Sequence, residues 1–110
     1  MEAMDIYKNF LDTNGMSLSA LGICGHALTR DAALRAVTIL RSAHIPVLGG
    51  DVYFKRAGRI VLAYANWHAD PKPTEAREAY LSRSWDTTET YVRRFPDTKD
   101  AEPLFVFVVG

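Results

Sequence analysis

The chain has 110 residues, a length that suits one domain over 1–110 with a hydrophobic core of its own. Thirteen basic residues balance thirteen acidic ones, so the net charge is zero. That excludes a dedicated nucleic-acid binder or a polybasic membrane anchor, though a local patch of one sign survives in a zero sum.

A single cysteine, Cys24, rules out an intramolecular disulfide and suits a reducing compartment. The opening Met1-Glu2-Ala3-Met4-Asp5 is acidic where a secretory signal needs positive charge. The longest apolar run, Leu104 to Val109, is far below the roughly 18 residues of a membrane span. A soluble cytoplasmic protein is expected.

Ile6, Tyr7, Phe10 and Leu11 have helical spacing, and Asn14-Gly15 would end that helix. Gly22 and Gly25 suggest a tight connector. Thr29 has the character of a helix N-cap, with Asp31 placed to meet the helix dipole. Ala33, Val37 and Leu40 form the inward stripe, and Pro46 cannot continue the helix. Val47 to Asp51 leads into a strand, Val52 to Lys55. A second strand, Arg59 to Asn66, follows the turn Ala57-Gly58, and the pair reads as a β-hairpin. Asp70-Pro71-Lys72-Pro73 is a stiff break. Thr74 is the expected cap of a second long helix, with Glu75 in its first turn. Leu81, Trp85, Thr88, Val92 and Phe95 share one face of that helix, which Pro96 ends. Leu104 to Val109, apolar throughout, is expected as a central strand. The expected fold class is α+β: a small, mainly antiparallel sheet of the hairpin plus the C-terminal strand, covered by two main helices.

Gly49-Gly50 follows a helix and precedes a strand, the reverse of a phosphate loop, and is read as a turn. Cys24-Gly25-His26 places a thiol near an imidazole, but a small buried thiol is the commoner state of a lone cysteine. His68-Ala69-Asp70 supplies two ligand types, short of the three or four that zinc needs, so no metal and no other cofactor is expected. Asp51, His68 and Asp70 could instead converge as an acid–base group, which is the ground for an alternative reading as a small hydrolase or metal-dependent enzyme. The aromatics Tyr53, Phe54, Tyr64 and Trp67 suggest a stacking platform, with Lys55, Arg56 and Arg59 the only basic cluster near it. Trp67 stands where strand becomes loop, so it suits either an interface anchor or a lid over the core. Acidic residues recur near Asp51, Asp70, Glu75 and Glu78, away from the basic hairpin tip.

Three segments carry a resemblance: Ala27-Leu28-Thr29-Arg30-Asp31-Ala32-Ala33-Leu34, Ile45-Pro46-Val47-Leu48-Gly49-Gly50-Asp51-Val52-Tyr53, and Tyr64-Ala65-Asn66-Trp67-His68-Ala69-Asp70. With Tyr80 and Ser84 in the following helix, they resemble the immunity protein 40 family over residues 27 to 95. The family pattern favours Asp before the Asn-Trp pair and Tyr after it, where this chain has Ala65 and His68. The resemblance implies a non-enzymatic bacterial protein that binds and neutralises a cognate toxin domain of a polymorphic toxin system. The candidate partner-binding residues are Asp51, Tyr53, Trp67, His68 and Asp70. A self-associating scaffold would need the C-terminal strand at a sheet edge; its expected central place predicts a monomer.

Overall fold

Thr29 caps as its hydroxyl suggests. Its Oγ1 accepts the Ala32 amide at 3.2 Å, and helix α2 (Arg30–Ser42) starts there. Ala33, Ala36, Val37 and Leu40 form its buried stripe. The computed structural model describes residues 2–110. In chain order, α1 (Ala3–Asn14), β1 (Met16–Ser17) and β2 (His26–Thr29) precede α2, with a short 3-10 turn, Ser19–Leu21, between the two strands. After α2 come β3 (Val47–Arg56), β4 (Arg59–His68), α3 (Arg77–Arg94) and β5 (Glu102–Val109).

The five strands form one sheet in the order β1-β2-β5-β3-β4, with every neighbouring pair antiparallel. The fold is therefore α+β, with β5 in the centre as expected. Two strands exceed the expectation, because β1 and β2 are short and exist through their pairing. The lead-in from Val47 to Asp51 is itself strand, paired with β5. At the hairpin tip Ala57 and Gly58 both take positive φ, 51° and 77°, the signature of the turn that matches strand twist. Strands β4 and β5 flank β3 and run antiparallel to it, hence parallel to each other, and α3 is the crossover between them.

Helices α2 and α3 cover one face. Val37, Leu40, Leu81, Trp85 and Val92 pack there with Val52, Trp67 and Phe105 of the sheet. The Trp85 indole donates to the Ile45 carbonyl at 2.8 Å. Ser84 Oγ accepts the Val47 amide at 3.2 Å and donates to the Leu81 carbonyl at 2.9 Å, pinning the start of β3 to α3. Arg30 donates to the Val92 and Arg93 carbonyls at 2.6 and 3.1 Å, satisfying orphan acceptors at the end of α3. On the other face a smaller cluster holds Leu18, Ala27, Tyr53 and Leu104. Helix α1 buries Tyr7, and that burial pushes the phenol's pKa up.

One cap differs from expectation. Helix α3 begins after Ala76, with no side-chain cap, and Thr74 lies exposed in the preceding turn. Glu75 is drawn away from a helix-dipole role: its carboxylate accepts from Arg83 at 2.7 and 2.8 Å and from the Lys72 amide at 3.2 Å. Among the described residues no helix is long and apolar enough to cross a membrane.

Candidate partner-binding surface

The alternation of side chains along a strand sorts the hairpin into two sides. In β4 the residues Leu62, Tyr64, Asn66 and His68 are exposed, whereas Ala63 and Ala65 are half-buried and Trp67 is buried. Trp67 is only 5% exposed, so its expected role as an exposed anchor is corrected. Its Nε1 donates to Thr88 Oγ1 at 3.0 Å, its ring stacks on Tyr91 at 4.7 Å, and Phe105 and Phe107 meet it edge-on.

Gly50 stands opposite Trp67 in the sheet register. A Cβ on Gly50 would lie 2.4 Å from the indole and 2.3 Å from the Val106 carbonyl oxygen. A Cβ on Gly49, whose φ is 152°, would lie 2.3 Å from the Trp67 carbonyl oxygen. The glycine pair is thus neither a turn nor a phosphate loop. It is a slot inside β3, left empty so that the indole can lie across the strand.

Tyr53 is also buried, on the opposite side of the sheet with Leu18, Ala27 and Leu104. Phe54 packs half-buried on Phe95, with ring centroids 6.1 Å apart. The four hairpin aromatics therefore form no common stacking platform, since two of them face opposite cores.

The three polar candidates do come together. Asp51, His68 and Asp70 are exposed and line one recess of about 200 Å³ with Leu48, Gly49, Gly50 and Val108. Gly49 pairs with His68 and Asp51 with Asn66, which is how the register assembles the recess. None of the three polar side chains hydrogen-bonds to another. Among the described residues no group of three metal-ligating side chains occurs. Cys24 is exposed and unbonded, which corrects the expectation of a buried thiol, and His26 lies 3.6 Å from Asp12.

The loop beside the recess is held from α3. Tyr80 donates its hydroxyl to the Ala69 carbonyl at 2.7 Å, and Arg83 donates to the Asp70 carbonyl at 2.6 Å. The Arg83 hydrogen bond, reinforced by the Lys72 amide, holds the Glu75 carboxyl down to about 2 against its ordinary 4.5. Glu75 stays ionised but its charge is met by Arg83, so the unpaired part of the expected acidic patch reduces to Asp51, Asp70 and Glu78.

Sequence reasoning passed over Tyr64 as one more hairpin aromatic. It is 90% exposed, with φ at 56°. The register explains its position: Val52 pairs with Ala65 but Tyr53 pairs with Leu62, so Ala63 and Tyr64 bulge out of the ladder. No glycine or asparagine marks the bulge in the sequence.

No curated protein and no solved structure gives a significant match to the chain. A family model, Immunity protein 40, matches residues 17–109, which runs from the end of β1 through β5. Tyr80, Ser84 and the glycine pair, all part of the resemblance in sequence, are the residues that hold the recess loop, the start of β3 and the Trp67 slot. This chain belongs to the Immunity protein 40 family.

Proposed function

We propose that this protein is a bacterial immunity protein that binds and neutralises a cognate toxin domain of a polymorphic toxin system. It acts as a single domain over 1–110, cytoplasmic and monomeric until it meets the toxin, and by occupancy, without a catalytic step. The observation that carries this reading is the family match over residues 17–109. In support, the glycine pair, Trp67, Tyr80 and Ser84 of the family segments all have structural work in the fold and need no catalytic role.

Within the proposed contact surface, Asp51, His68 and Asp70 supply polar groups around the recess. Tyr53 and Trp67 are buried in the cores on opposite sides of the sheet and contribute to that surface only by fixing the strands that carry it. Function resides in such a surface and not in the fold, so the toxin's chemistry is set by what complements it.

Co-expression tests the reading. The toxin domain encoded beside this chain should arrest growth alone, and this protein should restore it and form a stable complex measurable by calorimetry. Persistent arrest with no complex would remove the immunity role.

A further inference from the structure

The geometry points to Tyr64 as the anchor of the interface: we propose that it seats in an apolar pocket of a toxin surface rimmed by carboxylates. This rests on the immunity reading and names the partner's chemistry. Left-handed backbone crowds a residue's Cβ against the following carbonyl oxygen, a strain that most residues avoid. Tyr64 holds that conformation with its ring in solvent, so the free chain recovers nothing from burying it. The bulge lifts it from the open edge of the sheet, because β4 has a neighbour on one side only.

The surroundings define the occupant. Leu62, 50% exposed on the same side of the strand as the ring, extends the apolar patch, and Val61, 41% exposed, continues it on the other side of this edge. Arg59 is the only formally charged residue of β4, so the edge lacks the charges that usually protect one. Beyond it lie Lys55 and Arg56. These three cations make no ion pair with any described residue. A partner that buries the apolar patch must therefore bring carboxylates to meet them.

A second copy fits less well. Its β4 carries no acid, and the bulge leaves no straight run longer than four residues for strand pairing. Nucleic acid fits less well too, since one exposed ring beside two aliphatic side chains gives no series of stacking positions.

The test uses the full chain and the catalytically inactivated toxin domain encoded beside it. Calorimetry is run on wild type, Tyr64→Gly, and the double variant Arg56→Glu with Arg59→Glu. Circular dichroism and thermal melting should show Tyr64→Gly folded. Its affinity should fall on the order of 30-fold or more, as for an interface hot spot. The charge reversal should slow association and make it less sensitive to salt. Binding by wild type with unchanged affinity in Tyr64→Gly overturns the anchor and leaves the immunity reading intact. Failure of wild type to bind overturns both. Sedimentation showing a dimer that Tyr64→Gly dissociates would assign the patch to a second copy instead. Tyr64-dependent binding of a single-stranded oligonucleotide would assign it to nucleic acid.

Discussion

Trp67 and Tyr64 stand three residues apart on one strand and meet opposite surroundings. The side of the hairpin under α3 is filled: Trp67 has a hydrogen bond, a stacked ring, two edge-on rings and a glycine slot shaped to it. The open side carries Leu62, Tyr64, Asn66 and His68 with no helix over them. An aromatic at a strand end is thus no guide to an interface. What separates core from contact surface is which side of the pleat it occupies and whether the opposite strand leaves room for it.

That contrast can be broken most severely at Trp67. Trp67→Ala removes the largest ring of the covered side and leaves Thr88 without its donor. We expect a loss of about 3–5 kcal/mol in chemical denaturation. A loss under about 1 kcal/mol would mean that the indole is not a core element. Gly50→Ala tests the slot from the other strand. The added methyl must displace indole or backbone, at a cost of about 1–3 kcal/mol, and it should blue- or red-shift tryptophan fluorescence. An unchanged spectrum and stability would show that the slot has slack. On the open side, Leu62→Ser should stay within about 0.5 kcal/mol of wild type, because a half-exposed side chain loses little burial. A larger loss would mean that this side is covered in the free protein.

The smallest effect concerns the loop beside the recess. Glu75 has a depressed folded pKa, so its contribution is complete above its ordinary 4.5 and is lost as pH falls through about 2. The stability gap between wild type and Glu75→Gln should be level near neutrality and close across that acidic window. A gap that persists at the acid end would show that the amide disrupts the loop for a reason other than charge.

Much of the framework was legible because its signals are local. Thr29, the stripe Ala33-Val37-Leu40, the turn Ala57-Gly58 and the apolar run ending at Val109 each act through neighbours in sequence or through a simple period. The misreadings share a different cause. Thr74 has the right chemistry for a cap, but Arg83 and the Lys72 amide claim Glu75 and the helix starts later. The strands β1 and β2 have two and four residues and exist through partners found elsewhere in the chain. The glycine pair looked like a turn because the ring that needs its missing side chains lies on the other strand. Tyr64 was unreadable because its bulge is built from Ala63 and Tyr64, residues with no turn preference. Of the polar candidates, Asp51, His68 and Asp70 were grouped correctly because all three fall near strand ends, where a hairpin brings its two strands into register.

The central place of β5 has a consequence for how the molecule comes into being. β5 is the last strand made, yet β2 and β3 touch the sheet's middle only through it. Until it emerges from the ribosome, the β1–β2 part and the hairpin share no backbone ladder. The nascent chain therefore carries two open edges, and sheet closure waits until β5 has been made. Such non-local closure is slow compared with helix formation. A chain truncated before Glu102 would lose the seam of the whole sheet, not just one strand at its margin.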